Sequence, residues 1–167
     1  MDAGARLHRA PRPLIREARP DEAESLAAIQ RDASLAANAH IFPPELYPFP
    51  MGEIIERWES FIDDAAVTVL VREEDGAAVG VAGSRAEWLD GLYVLPEWWS
   101  RGVGRTLHDE VLARQRADGR TSCNLWVLEE NTRARRFYER LGWRENSETR
   151  VVPFPPHPTD VGYSIEL

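Results

Sequence analysis

The sequence has a single cysteine and no long apolar run. Cys123 alone excludes an intramolecular disulfide and a cysteine-based zinc cluster, so we expect no metal and a reducing, cytoplasmic compartment. No apolar run approaches the roughly 18 residues of a membrane-spanning helix, so no membrane partner is expected. Residues 1–13 lack the apolar core of a secretory signal and are rich in arginine, proline and alanine. They predict a disordered leader before one domain over residues 14–167.

Lysine is also absent, and the charges are unevenly distributed. The formal net charge is −8, and all 20 basic residues are arginines. Residues 20–75 hold 13 acidic residues against 3 arginines, whereas residues 101–144 hold 10 arginines against 6 acidic residues. A nucleic-acid-binding protein is rarely so acidic overall, so no nucleic-acid partner is expected. An acidic half beside a basic half suits a cationic substrate and an anionic cofactor, although solvated helix faces explain the counts equally well.

The stretch 92–106, LYVLPEWWSRGVGRT, predicts a strand, a tight loop and the start of a helix. Pro96 has no N–H to donate and ends the strand. The first turn of a helix has unpaired N–H groups and a partial positive charge, which together bind phosphate. Glycines let a ligand approach the backbone, and arginines add full positive charge. The loop contains both types, in the order Arg101, Gly102, Gly104 and Arg105.

Two common phosphate loops fit this stretch poorly. The Walker loop needs a lysine and a glycine five residues before its Gly-Lys-[Ser/Thr] triplet, but Arg105 and Trp99 stand at these positions. The dinucleotide fingerprint Gly-x-Gly-x-x-Gly begins at Gly102 and fails at Leu107.

The stretch resembles instead the acetyl-CoA pyrophosphate loop of the GNAT superfamily of N-acetyltransferases. That pattern is Val-x-Pro followed by [Gln/Arg]-x-x-Gly-x-[Gly/Ala] at the start of a helix. Residues 94–96 (VLP) and 100–104 (SRGVG) match it, and Trp99 stands where the family has Gln or Arg. Asn131, Ala134 and residues 137–143 (FYERLGW) resemble a second family signature, Asn-x-x-Ala-x-x-Phe-Tyr-x-x-x-Gly-[Phe/Trp]. Two motifs in the family's order cover roughly residues 90–143.

Hydrophobic periodicity predicts alternating strands and helices along the whole chain. Together with the resemblance, this indicates an α/β (α+β) fold of three αβα layers, in which about four helices flank a mixed, largely antiparallel sheet of six to seven strands. The predicted strands are 14–18, 66–72, 77–84, 87–95, 123–128, 143–151 and 161–165. The predicted helices are 20–38, 51–63, 102–117 and one that begins after Asn131.

The resemblance implies where acetyl-CoA binds. The strands around residues 87–95 and 123–128 would splay apart, and pantetheine would lie in the gap and pair with free backbone groups of Leu92 and Val94. The cofactor-binding residues implied in this way are Leu92, Tyr93, Val94, Arg101, Gly102, Val103, Gly104, Arg105, Thr106, Asn131, Ala134, Phe137 and Tyr138. Trp98 and Trp99 either pack the loop or stack near the adenine, and packing is favoured.

Acetyl transfer to an amine, the activity that the resemblance implies, has three physical requirements. The amine must lose its proton, and a lysine-like amine has a pKa near about 10.4. The oxyanion needs N–H donors, which the family takes from the strand before the loop, here near Val94. The departing thiolate benefits from a proton donor, often the tyrosine that matches Tyr138. On spacing alone, Tyr138 also suits a core tyrosine.

The general base is the least constrained role. Family members use a carboxylate on the strand before the loop, where this chain has Glu87 and Asp90; in a regular strand these face opposite sides. The commonest position of the general base in the family falls on Trp88. Asp90 shares the face of Trp88 and is therefore preferred to Glu87. Both acids also suit a solvated surface position. His40 is an alternative base. His108 is expected at the surface.

The sequence thus predicts an N-acetyltransferase that moves acetyl from acetyl-CoA to a primary amine, by direct transfer in a ternary complex. Cys123 has no histidine motif beside it, which argues against a covalent acyl-enzyme. Two alternatives remain open at this point: a non-catalytic acyl-CoA sensor on the same fold, and an unrelated nucleotide-phosphate protein. The resemblance implies that the loop over residues 38–51 forms one wall of the acceptor pocket, although a loop that packs on the core without contacting the acceptor explains its apolar residues equally well. The acceptor is expected to be cationic. The chain is expected to be a monomer or a homodimer.

Overall fold

A seven-stranded mixed sheet with helices on both faces forms the protein. The computed structural model describes residues 14–167, so the predicted leader lies outside the described residues. The strands follow the order β1-β2-β3-β4-β5-β7-β6, and neighbours are antiparallel except β4 and β5. This confirms the predicted fold class. The elements are β1 Leu14–Glu17, α1 Ala23–Asn38, α2 Met51–Asp63, β2 Val67–Glu74, β3 Ala77–Arg85, β4 Trp88–Val94, a 3₁₀ turn Pro96–Trp98, α3 Val103–Ala117, β5 Ser122–Leu128, α4 Thr132–Arg140, β6 Arg144–Val151 and β7 Thr159–Glu166.

Apolar side chains are buried on both faces of the sheet, which gives the three layers. On one face, the apolar stripe of α3, with Leu107 and Val111, packs in a cluster that includes Leu125 of β5. On the other face, Leu26 of α1 and Trp58 of α2 pack together against β2 and β3. The helical periodicity of the sequence therefore identifies side chains that do face the sheet.

The gap between β4 and β5 is the feature of the sheet that positions the site. Within the described chain, these parallel strands pair at a single position near their first residues and then separate, as the resemblance implied. The N–H of Leu95 bonds to the carbonyl of Val79 on β3, at 2.9 Å. Since backbone groups alternate in direction along a strand, those of Leu92 and Val94 point into the gap.

Strand β4 contains a β-bulge that the sequence analysis did not anticipate. Leu89 and Gly91 pair with adjacent residues of β3, so Asp90 is the extra residue. As a result, Leu89 and Leu92 contact the same core cluster, although in a regular strand residues three apart face opposite sides. The regular alternation assumed for Glu87 and Asp90 is therefore wrong, and Glu87 precedes the strand.

His108 is buried, so the expectation of a surface histidine is wrong. The residue is 3% exposed, and its Nε2 accepts a hydrogen bond from Nε1 of Trp143 at 2.8 Å. Its Nδ1 lies 2.8 Å from a carboxylate oxygen of Asp109. Nε2 accepts only when it carries no proton, so this contact requires a neutral imidazole with its hydrogen on Nδ1. Burial lowers the pKa of His108, although the bond to Asp109 opposes this shift.

We expect the burial of His108 to make stability fall as the pH drops below about 6.5. Because the folded pKa lies below the unfolded one, the unfolded chain binds more protons in this range, and each pKa unit of difference corresponds to about 1.4 kcal/mol. His108→Gln keeps an acceptor for Trp143 but does not titrate, so its free energy of unfolding should fall less between pH 7 and pH 5. Urea unfolding at several pH values measures this difference. Equal pH slopes in the two proteins would contradict the assignment.

Candidate active site

A cavity of about 440 Å³ opens where β4, α1, the start of α3 and α4 come together. We call it the main cavity. Ten of the residues implied as cofactor-binding line it, and they come from three separate parts of the chain. These are Leu92, Tyr93, Val94, Gly102, Gly104, Arg105, Asn131, Ala134, Phe137 and Tyr138. The two sequence motifs therefore converge on one site.

The start of α3 presents backbone N–H groups to the main cavity. Gly102 precedes the helix in the left-handed conformation, with φ of 81°, which favours glycine because it has no Cβ. Between residues 14 and 167, no side chain caps this helix, so its first-turn N–H groups remain available to a ligand. Gly104 lies one residue into the helix, where a Cβ would stand 3.4 Å from Cζ of Phe137.

The charge around the main cavity is positive. Arg105, Arg133 and Arg140 line it, and no aspartate or glutamate of the described chain does. Arg101 lies just outside, with its guanidinium 5.2 Å from the ring centre of Trp98. An uncapped helix N-terminus surrounded by arginines is suited to a polyanionic ligand such as a diphosphate.

Helix α4 places two polar groups of the second motif at the cavity wall. The Asn131 side chain accepts a hydrogen bond from the N–H of Ala134 at 3.0 Å and so caps the helix. Tyr138 is 8% exposed and packs against Phe137 and Trp143, with ring centres 5.1 and 5.7 Å apart. Its hydroxyl has no hydrogen-bond partner within residues 14–167, and burial raises the pKa of Tyr138. The phenol therefore keeps its proton and is free to donate it.

Comparison with known proteins identifies the family of this chain. The model of the Acetyltransferase (GNAT) family matches residues 27–143. The chain is also 30% identical over 145 residues to the peptidyl-lysine N-acetyltransferase YjaB of Salmonella typhimurium, covering 84% of this chain and 92% of that protein. The chain belongs to the GNAT acetyltransferase family. It is therefore an acyltransferase, and the unrelated nucleotide-phosphate alternative is wrong.

Solved GNAT structures share the fold. A GCN5-related N-acetyltransferase from Rhodopseudomonas palustris superposes with a TM-score of 0.73 at 23% identity, covering 93% of this chain and 96% of that one. The PaiA N-acetyltransferase from Thermoplasma acidophilum, solved in complex with coenzyme A, superposes with a TM-score of 0.71 at 18% identity, covering 93% and 99%.

Trp99 replaces the Gln or Arg of the GNAT loop and packs that loop onto β4. Its indole N–H donates to the carbonyl of Val94 at 2.8 Å, which leaves the Val94 N–H as the group directed into the gap. The guanidinium of Arg133 lies 4.0 Å from the Trp99 ring centre, and both residues line the main cavity. Trp99 thus packs the loop, which is the favoured interpretation, and Arg133 brings a charge to the loop position where the family has Gln or Arg.

The acids considered as general base lie outside the main cavity. Asp90, at the bulge, has a pKa raised by partial burial of its carboxyl, against the opposing charges of Arg85 and Arg57. Glu87 is half-exposed, and its carboxylate lies 3.6 Å from a guanidinium nitrogen of Arg120.

His40, the other base considered, has its Nε2 3.0 Å from the carbonyl oxygen of Glu130. It ties the α1–α2 loop to the turn between β5 and α4. Of the three bases considered, Asp90 alone lies on β4, and its raised pKa brings its carboxylate closer to the working range of a general base.

Three residues implied as cofactor-binding do not line the main cavity. Val103 is fully buried in the core below it. The Thr106 hydroxyl donates to the Val103 carbonyl at 2.9 Å and accepts from Arg72. Arg101 packs on Trp98, as described above.

Helix α1 contributes a wall of the main cavity that was not predicted. Ala33, Ser34, Ala37 and Asn38 line the main cavity, and Oδ1 of Asn38 is buried with no hydrogen-bond partner in the described chain. A run of small residues at the end of α1 was the available signal, because small side chains leave room for a ligand. The direction in which α1 crosses β4 cannot be derived from that run alone.

Within residues 14–167, no helix is long and apolar enough to cross a membrane. No group of three or more His, Cys, Asp or Glu side chains there is arranged to hold a metal ion.

Proposed function

We propose that the protein transfers an acetyl group from acetyl-CoA to a primary amine, directly and within a ternary complex. The observation that carries this proposal is the main cavity, which joins an uncapped helix N-terminus, three arginines and a buried, protonated tyrosine. Acetyl-CoA supplies the acyl group as an activated thioester when it is bound. Its phosphates match the arginines, and its amides match the free backbone groups of β4.

Each catalytic requirement has a candidate group in this chain. The N–H of Val94, directed into the gap, stabilises the oxyanion. Tyr138 donates a proton to the departing thiolate. Asp90, directly or through a water, accepts the proton of the amine; it is preferred to Glu87, which pairs with Arg120.

Transfer without an acyl-enzyme is supported by the state of Cys123. The residue is fully buried on β5, and burial raises the pKa of its thiol to about 11. A thiol with so high a pKa is almost wholly protonated at neutral pH and is a poor nucleophile.

Release of free CoA in the presence of amines tests the proposal. A peptide with one lysine is the first acceptor to try, because the Salmonella relative is named a peptidyl-lysine N-acetyltransferase. We expect release that depends on the amine, and a Cys123→Ala variant that retains the rate to within about two-fold. Acetylation of the protein itself, lost in Cys123→Ala, would contradict direct transfer. Binding of acetyl-CoA without release by any amine would support the sensor alternative.

A further inference from the structure

A carboxylate and an aromatic face lie together on the side of the sheet opposite α3. Trp126 and Leu128 of β5 pair with Gly162 and Asp160 of β7, so Trp126 and Asp160 project to the same face. The Trp126 ring is stacked on Trp88 of β4, with ring centres 6.1 Å apart and planes 15° apart. The stack bridges the start of the β4–β5 gap.

The guanidinium of Arg150 lies between the Asp160 carboxylate and the Trp126 ring. Both Nε and Nη2 of Arg150 lie 2.9 Å from Oδ2 of Asp160, and the guanidinium carbon lies 4.6 Å from the Trp126 ring centre. The Asp160 side chain is 10% exposed, whereas that of Arg150 is 53% exposed. A buried carboxylate needs a cationic partner, but a half-exposed arginine on an edge strand regains its hydration easily when it leaves.

The same carboxylate acts electrostatically on a residue of the main cavity. Tyr93 lines that cavity, and burial raises its pKa; the positive charge of Arg57 opposes this shift, whereas the negative charges of Asp160 and Asp90 add to it. Arg105 belongs to α3, and Asp160 projects from the opposite face of the sheet. An anionic cofactor and a cationic acceptor would therefore approach the gap from different sides.

We propose that Asp160 and the face of Trp126 bind a cationic group of the acceptor, and that Arg150 holds this subsite until the acceptor displaces it. A carboxylate beside an aromatic face is suited to guanidinium and ammonium groups. This subsite rests on the proposed function in one respect, namely that the bound molecule is the acetyl acceptor. The charge that it recognises is a second one, remote from the amine that is acetylated.

Two probes of matched shape test the subsite: 4-aminobutylguanidine and 4-aminobutylurea. Both carry the same primary amine, but only the first has a charged distal group. Calorimetry with the CoA-loaded protein should show the guanidine binding at least about ten-fold more tightly than the urea, as expected for a hydrogen-bonded charge. Asp160→Asn should abolish this preference. Arg150→Met should strengthen guanidine binding, because the internal competitor is gone.

Glu148→Gln is the matched control, since it removes one exposed acid from β6, the strand of Arg150, and should leave the preference unchanged. If Asp160→Asn does not fold, as judged by circular dichroism, Trp126→Leu replaces it with the same expected loss. Equal binding of both probes to the wild type, or weaker guanidine binding by Arg150→Met, would overturn the subsite.

Calorimetry measures binding to the subsite without any reaction, so a separate measurement of CoA release distinguishes the subsite from the proposed acetyltransferase function. Selective binding without CoA release would overturn the proposed function and leave the subsite standing. Release with equal KM for both amines would overturn the subsite alone.

Discussion

Replacing Gly104 by glutamate is expected to abolish the stabilisation of the protein by acetyl-CoA. Gly104 lies in the first turn of α3, beside Leu92 and Phe137 at the cavity wall. A carboxylate at this position places negative charge at the site that the arginines prepare for phosphate, and juxtaposed like charges cost several kcal/mol. Wild-type protein with ligand at about 100 times its Kd gains about 2.7 kcal/mol, which corresponds to roughly 5–10 °C in Tm. Thermal shift with acetyl-CoA, CoA and ATP measures the effect.

Gly104→Ala is the matched control for this substitution. Its Cβ would meet Phe137 and Leu92 at 3.4–3.6 Å, which is ordinary van der Waals contact, and the backbone is helical. The alanine variant should therefore fold and retain a shift with acetyl-CoA. Persistence of the full shift in Gly104→Glu would place the cofactor elsewhere, and an equal shift with ATP would point to a general nucleotide site.

Local sequence patterns predicted the elements well because each pattern reports short-range physics. Helix α2 was expected at residues 51–63 and occurs at Met51–Asp63, and α4 begins after Asn131 as predicted, with the Asn131 side chain as its cap. Both results depend on hydrophobic spacing and capping within a few residues. The phosphate loop was found for the same reason, since a strand end, two glycines and a helix start are adjacent in the chain.

The features that were missed depend on contacts between distant parts of the chain. The bulge at Asp90 depends on its pairing with β3; Gly91 inside the strand is a local signal for a bulge, but it does not show which residue is the extra one. His108 looked like a surface residue because its partner Trp143 is 35 residues away. Likewise, the pairing of Arg150 with Asp160 follows from the register between β6 and β7. Local sequence patterns therefore identify candidate site residues more easily than the long-range contacts that give each residue its role.

Substituting Tyr138 by phenylalanine is expected to lower kcat for acetyl transfer by about 10²-fold or more, the usual contribution of a general acid. The ring of Tyr138 packs between Phe137 and Trp143, and phenylalanine preserves these contacts. Since the hydroxyl has no partner within the described chain, its loss breaks no internal hydrogen bond. The variant should therefore unfold at nearly the same urea concentration as the wild type, while its kcat falls by the factor given above.

The leaving group provides a sharper test of the role of Tyr138. A general acid matters less when the departing group is already a stable anion, so an acetyl thioester of a more acidic thiol should restore part of the lost rate. The KM for the amine should stay close to the wild-type value, because the phenol acts on the thiolate and not on the acceptor. A Tyr138→Phe enzyme with wild-type kcat would mean that the residue is a core tyrosine and that the thiolate leaves unprotonated or takes its proton from water.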